Sequence, residues 1–188
     1  MSSPKQNNAT PKHATRTKRA LTVREMSVFA MLGALMYCSK LLLEWAPNIH
    51  LLALFIITFT RIYRVKALIP LYIFVFLTGL FGGFGLWWLA YLYVWLPLWG
   101  VTMLLPRRMP NGVAVPVFMA LGGLHGLLFG VLYAPAQALF FGLDFKALVA
   151  WVAAGSPFDI AHAIGNLAAC TLVVPLSRVV ARLEGKRC

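Results

Sequence analysis

Polar side chains share one helical face near the end of a very apolar chain. Asp159, His162 and Asn166 are spaced three and four residues apart, which places them on one side of a helix. An aspartate beside a histidine can move protons, and all three side chains can hydrogen-bond a ligand. Polar groups at membrane depth are costly and tend to face an interior or a wet cavity. The pattern therefore predicts a site, with satisfaction of His162 by its neighbours inside a helix bundle as the purely structural alternative.

Aromatic residues add two further faces to this prediction. One face has polar and aromatic residues at every fourth position: His125, Phe129, Tyr133 and Gln137. The other belongs to a tryptophan-rich stretch that contains Trp87, Trp88, Tyr91, Trp95 and Trp99. A belt at the membrane interface explains Trp87 and Trp88, but Trp95 lies ~12 Å deeper along a helix. We therefore expect the three faces to meet in an aromatic hollow on the outer half of a bundle, as small-molecule sites do.

The composition indicates which elements must hold these residues. Hydrophobic residues make up 61% of the 188 residues and charged residues only 12%, which excludes a soluble domain. Because about 20 apolar residues cross a membrane, we predict an all-α polytopic membrane protein with six transmembrane helices in residues 21–183. The predicted spans are Leu21–Leu43, Ile49–Tyr63, Ala67–Phe81, Leu86–Leu105, Val113–Phe141 and Ile160–Leu183. Residues 142–159 are predicted to form a loop whose apolar segment, Ala147–Ala154, is too short to cross, and Pro135 is predicted to kink or stop span five.

The net charge of +12 comes from 17 Lys and Arg against 5 Asp and Glu. Basic residues among aromatic ones can indicate nucleic-acid binding, but here they form short runs between apolar stretches, so no nucleic-acid partner is predicted. The positive-inside rule accounts for the runs, with only Lys40 and Lys146 outside and both termini cytoplasmic. Residues 1–20 are then predicted to form a disordered basic cytosolic tail, and residues 184–188 a basic cytosolic end. Part of this charge can attract anionic membrane lipid.

Small residues mark two surfaces where helices can pack closely. Ala30 and Ala34, with Gly33 beside them, allow another helix to approach, either within the bundle or from a partner protein. A second stripe, which we expect to pack inside the bundle, contains Gly122, Gly126, Gly130, Ala134 and Ala138.

Several kinds of chemistry have no motif in the chain. It lacks a phosphate-binding loop for nucleotides, a zinc-protease motif and a nucleophile elbow. Cys38, Cys170 and Cys188 lack the spacing of metal ligands or of a disulfide pair. Haem between His125 and His162 is disfavoured, because we expect His125 near mid-membrane and His162 near the outer edge. The sequence therefore predicts no catalytic residue, no metal and no cofactor.

Together these features resemble the substrate-binding S component of an energy-coupling factor (ECF) transporter, a type of ABC transporter. The resemblance rests on six spans in 188 residues, on Ala30 and Ala34 in a first helix after Leu-Thr-Val-Arg-Glu, and on Asp-x-x-His-x-x-x-Asn opening the last helix. It implies a protein of the bacterial plasma membrane that binds a vitamin or related micronutrient from outside. Import would need a membrane T component, which Ala30 and Ala34 would contact, and two ATP-binding subunits, so the chain itself would not be an enzyme.

The resemblance also implies a substrate and its contacts. The run Pro47-Asn48-Ile49-His50 ahead of a tryptophan-rich span is similar to cobalamin-type S components, with pantothenate or a queuosine precursor as open alternatives. Family members bind substrate with the loop after the first helix and the outer halves of helices four to six. The substrate-binding residues implied for this chain are Trp45, Asn48, His50, Trp87, Trp88, Tyr91, Trp95, Tyr133, Gln137, Asp159, His162 and Asn166. An integral-membrane enzyme or an assembly protein that uses the Asp159 and His162 site is the alternative function.

Overall fold

The computed structural model describes residues 21–46 and 48–185, and within these residues it is helical, without strands. The predicted all-α class is thereby confirmed. The predicted tail 1–20, Pro47, and residues 186–188 with Cys188 lie outside the described residues. The helices are α1 (Val23–Leu42), α2 (Leu52–Tyr63), α3 (Leu68–Gly82), α4 (Leu86–Tyr91), α5 (Leu96–Leu104), α6 (Asn111–Leu127), α7 (Phe129–Phe141), α8 (Phe145–Cys170) and α9 (Val173–Leu183).

Long apolar helical segments identify a multi-pass membrane protein. By length and composition, five segments of the described chain can cross a bilayer: Val23–Leu42, Leu52–Gly82, Leu86–Leu104, Asn111–Phe141 and Phe145–Cys170. The second of these contains both α2 and α3, which the sequence predicted as separate spans. The number of membrane-length helices is therefore five or six, depending on how that segment is counted.

The segment Leu52–Gly82 reverses direction between α2 and α3. A 3-10 turn, Arg64–Ala67, joins the two helices, and Arg64 has a φ of 55°, which breaks the α-helical path. Tyr63, at the end of α2, packs its ring 5.1 Å from Phe29 near the start of α1. Phe81, at the end of α3, stacks 5.3 Å from Tyr37 in the later part of α1. Thus α2 runs antiparallel to α1, and α3 runs parallel to it.

Helix α2 forms the centre of the bundle. Its residues 52–60 are all buried, including two threonines, and it contacts α5, α6, α8 and α9. Thr60 Oγ1 donates to the Ile56 carbonyl at 2.6 Å, so this hydroxyl is satisfied within its own helix. A helix this short and this apolar is stable only because other helices surround it.

The predicted loop 142–159 is wrong, because α8 begins at Phe145 and continues through this region. The Asp144 side chain caps the helix by accepting from the Ala147 N–H at 2.7 Å. Pro157 lies inside the helix and cannot donate to the Ala153 carbonyl, but that carbonyl accepts from Ser156 Oγ at 2.8 Å. The apolar segment 147–154 is therefore the first part of a helix that is long enough to cross.

Pro135 does not stop its helix either. Helix α7 continues past it to Phe141, and the interruption lies earlier, at Leu128 between α6 and α7. The chain turns at the positive-φ residue Gly142 before α8 begins.

The predicted internal packing of the glycine stripe is confirmed at its first three positions, which lie against α8. A Cβ added to Gly126 would approach the Ala163 N and Cα atoms at 2.8 and 2.9 Å, and one added to Gly122 would clash with Cys170 Sγ. Small residues thus let the backbones of α6 and α8 come very close, as in other membrane helix pairs.

The small residues of α1 do not all face the same neighbour. Gly33 packs against α3, where an added Cβ would lie 2.5 Å from an Ile73 methyl carbon. Ala30 is exposed and Ala34 is half-buried. The close internal contact of this helix is therefore made by Gly33, and the predicted partner contact of Ala30 and Ala34 stays a prediction.

Candidate ligand-binding site

Five rings from four separate segments meet inside the bundle. Trp95 is 1% exposed and lies 5.8 Å from the His50 ring, 5.6 Å from His125 and 5.5 Å from Phe129, between ring centres. His162 is also 1% exposed, and its ring lies 4.4 Å from His50, 4.9 Å from Phe129 and 6.4 Å from His125. We call these five residues the histidine–tryptophan cluster.

Local breaks in the helices put these rings in place. Trp95 is the N-cap residue of α5, at the end of the turn that separates α5 from α4, and Pro97 is inside the first turn of the new helix. His125 lies in the last turn of α6, and Phe129 is the first residue of α7. His50 lies in the connection that leads into α2. Irregular backbone at membrane depth is tolerated only where it is buried in protein or lines a cavity.

Several polar atoms of the cluster have no hydrogen-bond partner in the described part of the chain. They are His50 Nδ1, His125 Nδ1, His162 Nε2 and Trp95 Nε1. The other ring nitrogen of His125, Nε2, lies 3.0 Å from the Val94 carbonyl oxygen. An unpaired buried polar group costs ~1 to 3 kcal/mol, and such groups call for an explanation such as an absent partner. Four of them in one cluster indicate a place where a ligand supplies the missing hydrogen bonds.

The cluster presents an uncharged imidazole to its cavity. Burial, and to a smaller extent the neighbouring His125, lower the pKa of His50 to about 4. His50 is therefore neutral at physiological pH and offers one donor and one acceptor. This end of the site suits a neutral polar group better than an ion.

Two adjoining cavities lie beside the cluster. The first has a volume of about 220 Å³, and the residues that line it are Lys40, Leu43, Glu44, Ala46, Asn48, Ile49, His50, Tyr91, Phe129 and His162. The second has a volume of about 240 Å³, and its lining residues are Asn48, Phe129, Gly130, Tyr133, Trp151, Val152, Gly155, Phe158 and Asp159. Asn48 and Phe129 line both, so these two residues form a wall that the two cavities share. One cavity combines charged and polar groups, whereas the other is mainly aromatic.

The Asp159 carboxylate accepts a hydrogen bond from the backbone of the neighbouring helix. Its Oδ1 and Oδ2 atoms accept from the Gly130 N–H at 3.1 and 3.2 Å, in the first turn of α7. This bond satisfies a donor that the break at Leu128 exposes. Asp159 thus fixes α7 to α8 and also lines the second cavity.

Other predicted site residues lie against the protein or the surface. Trp88 Nε1 donates to the Val75 carbonyl at 2.8 Å, toward α3. Asn166 is fully buried, and its Nδ2 donates to the Gly122 carbonyl at 3.1 Å. Trp45 is 81% exposed, and Gln137 is half-buried. None of these four side chains lines either of the two cavities.

Trp87 and Tyr133 connect α4 with α7 at the rim. The Tyr133 hydroxyl donates to the Trp87 carbonyl at 2.6 Å, and the Trp87 ring packs edge-on to Tyr91 at 5.6 Å. Tyr133 also stacks on Trp151, 6.2 Å between ring centres. The predicted convergence of the tryptophan-rich stretch with the α7 face therefore holds at Tyr91, Trp95 and Tyr133.

The expected separation of His125 and His162 in depth is wrong, because their rings lie only 6.4 Å apart. His162 lies well inside α8, which begins at Phe145. The implied residue set omitted His125, Phe129 and Trp151. The periodic face that contained His125 and Phe129 was the available signal, whereas Trp151 fell in the predicted loop.

The described residues contain no group of three or more His, Cys, Asp or Glu side chains that could hold a metal ion. Comparisons of the chain with protein-family models, with curated proteins and with solved structures found no match.

Proposed function

We propose that this protein is a membrane-embedded binding subunit that captures a small nutrient molecule for import, of the ECF S-component type. The observation that supports the proposal is the histidine–tryptophan cluster, in which His50 and His162 line one of two adjacent cavities and each has an unpartnered ring nitrogen. Aromatic walls with a few convergent polar groups are how small-molecule sites are built. In this proposal the chain has no catalytic residue, cofactor or metal of its own.

The cavity sizes favour a compact substrate. Drug-sized ligands occupy pockets of ~300 to 1,000 Å³, and the two cavities together reach the lower part of that range. A corrinoid is much larger than such ligands, so the cobalamin expectation gains no support from these volumes. Pantothenate and a deazapurine such as a queuosine precursor both suit these volumes better. Of the two, the deazapurine also matches the neutral His50 imidazole, as does any neutral ring with hydrogen-bonding edges, whereas pantothenate is a carboxylate anion at neutral pH.

The proposed membrane orientation has six crossings with both termini in the cytoplasm of a bacterial cell. It is supported by the reversal at Arg64–Ala67, which separates α2 from α3, and by basic residues at the end of the bundle where α1 begins. The two cavities lie at the opposite end and would receive substrate from outside. A T component and two ATP-binding subunits would drive import, with Ala30 and Ala34 facing the T component.

The first test is to identify what the protein carries. Small molecules should be extracted from the full chain after purification from its native membrane, identified by mass spectrometry, and titrated back by calorimetry. We expect a compact, neutral or zwitterionic compound at about one per chain. A chain that carries no compound, and that no candidate vitamin stabilises against heat, would contradict a binding function.

A matched pair of tryptophan variants ties binding to the cluster. Trp95→Phe removes the unpartnered Nε1–H and keeps an aromatic ring, so we expect affinity for the recovered compound to fall about tenfold, since one such hydrogen bond is worth ~1.4 kcal/mol. Trp88→Phe is the control, because the Trp88 Nε1–H already donates to the Val75 carbonyl and is not available to a ligand. Equal effects of both variants would argue against the cluster as the binding site.

The alternative functions have less support. An enzyme would need Asp159 and His162 to act together, but the Asp159 carboxylate is bonded to the Gly130 backbone. An assembly protein would not need unpartnered nitrogens around a cavity.

A further inference from the structure

Arginine side chains from three parts of the chain surround a cavity at the basic end of the bundle. The cavity has a volume of about 290 Å³, and its lining residues are Arg61, Arg107, Arg108, Met109, Asn111, Val174, Ser177 and Arg178. They come from α2, from the connection between α5 and α6, from the start of α6, and from α9. The cavity lies far from the histidine–tryptophan cluster and shares no lining residue with its two cavities.

The cavity lies at the end of the bundle where α1 begins and where α2 and α5 end. Arg64, three residues after Arg61, donates to the Met103 carbonyl near the end of α5. Lys66 forms a 2.5 Å ion pair with Glu25 in the first turn of α1. The cavity therefore opens where several helices end together, which is where lipid headgroups meet a membrane protein.

The charged side chains that line the cavity are all of one sign. Four guanidinium groups line it, and its lining contains no acidic residue. Arg61 is half-buried, with its Cζ atom 4.6 Å from the centre of the Phe118 ring. The positive-inside rule explains why arginines occur at this end of the bundle, but it does not require them to gather around one enclosed space. Four like charges that line one cavity repel each other, and an anion bound between them would relieve that repulsion.

We propose that this cavity binds a phosphate-bearing anion, either the headgroup of an anionic phospholipid or free phosphate. Guanidinium groups match phosphate oxygens with paired, charge-assisted hydrogen bonds. Asn111 and Ser177 also line the cavity, and short polar side chains of this kind contact phosphate oxygens. Basic pockets between membrane helices on the cytoplasmic side are known to hold such headgroups. The inference is independent of the nutrient-binding proposal.

The test measures lipid retention by the full chain. Purified protein is exchanged into nanodiscs or mixed micelles of phosphatidylglycerol and phosphatidylcholine, and native mass spectrometry counts bound lipid. Arg107→Gln/Arg178→Gln removes two cavity charges, and Arg24→Gln/Arg182→Gln removes two charges from outside the cavity lining. We expect phosphatidylglycerol binding to weaken at least about tenfold in the first variant and less than about twofold in the second, because the lost contacts are charge-assisted.

Further measurements distinguish the two sources of the anion and check that the variants are folded. Arg107→Lys/Arg178→Lys keeps the positive charge but loses the planar guanidinium group, which can bond two phosphate oxygens at once. Its affinity should therefore lie between those of the wild type and the glutamine variant. Thermal melting should show that all variants are folded. If inorganic phosphate protects the protein with the same dependence on the variants and displaces the lipid, the ligand is free phosphate. If phosphate has no effect and phosphatidylglycerol is retained, the ligand is the lipid headgroup. Equal loss in both glutamine variants, or no preference for phosphatidylglycerol and no effect of phosphate, would overturn the proposal.

Discussion

The close contact between α6 and α8 leads to a prediction that depends on which atoms a new methyl group would meet. Alanine at Gly126 would place a Cβ 2.8 Å from Ala163 N, 2.9 Å from Ala163 Cα and 2.9 Å from the His162 carbonyl carbon. These are backbone atoms, so no side chain can rotate away. Ordinary contacts begin near 3.4 Å, and α8 must therefore move by about half an ångström.

The expected cost of Gly126→Ala follows from two opposing effects. Overpacking of this kind costs ~1 to 3 kcal/mol, and replacement of a helical glycine by alanine returns ~0.5 to 1 kcal/mol. We expect a net loss of ~1 to 2 kcal/mol, which for a chain of this size lowers the melting temperature by roughly 2 to 8 °C. Gly100→Ala in α5 is the matched control, since its added Cβ meets nothing within 4 Å. That variant should melt slightly higher than the wild type.

A double-mutant cycle at Gly122 provides a sharper test of the same contact. Alanine at Gly122 would clash with Cys170 Sγ, while the Cys170 Cβ lies at an ordinary 3.5 Å. Cys170→Ala should therefore rescue Gly122→Ala, with a favourable coupling of ~1 kcal/mol or more. Ala163→Gly should not rescue Gly126→Ala, because glycine keeps the backbone atoms that clash. Thermal melting in detergent measures all of these variants together with Gly100→Ala. Similar melting temperatures for Gly126→Ala and Gly100→Ala, or rescue at both sites alike, would refute the argument.

Three further predictions concern orientation, pH and partner contact. In a background without the native cysteines, a membrane-impermeant maleimide added outside cells should label a cysteine at Lys146 but not one at Asn111, and the reverse pattern would invert the proposed topology. The pKa of His50 is about 4 in the folded protein, so on acidification the unfolded chain takes up a proton at this side chain before the folded protein does. The contribution of neutral His50 to stability should therefore be full above about pH 6.5 and decline toward pH 4, by at most ~3 kcal/mol. His50→Asn should reduce that slope in pH-dependent melting, and an unchanged slope would mean that the ring is already solvated. Ala30→Trp and Ala34→Trp should abolish uptake while the purified protein still binds substrate, whereas lost binding or folding would place this face inside the protein.

Helical periodicity predicted which residues share a face more reliably than where a helix begins. Asp159, His162 and Asn166 are all buried on one side of α8, and the first three stripe glycines pack inside the bundle as expected, against that helix. These predictions hold because residues three and four apart must point the same way in any α-helix. The start of α8 depended on two local hydrogen bonds, at Asp144 and Ser156, which offset the presence of Pro157.

The composition of the site was predictable only in part, because its members come from segments that are distant in sequence. The tryptophan-rich stretch suggested Trp95, and the resemblance to S components suggested His50, yet neither indicated that His50 lies 4.4 Å from His162. Trp88 and Asn166 have the residue types of ligand contacts but bond to backbone carbonyls inside the bundle. Which partner a buried polar group finds is decided by packing, and the spacing of residues along one helix does not contain that information.

The glycine stripe and the ligand site are physically linked. Gly126 follows His125 directly, and the atoms nearest to its missing side chain belong to His162 and Ala163. The same close approach of α6 and α8 therefore brings the two imidazoles to 6.4 Å. Recognition by a few unpartnered nitrogens depends on how rigidly they are held, because a site that must be ordered during binding loses affinity. A substitution at Gly126 should consequently weaken ligand binding as well as stability, even though glycine itself has no side chain to offer a ligand.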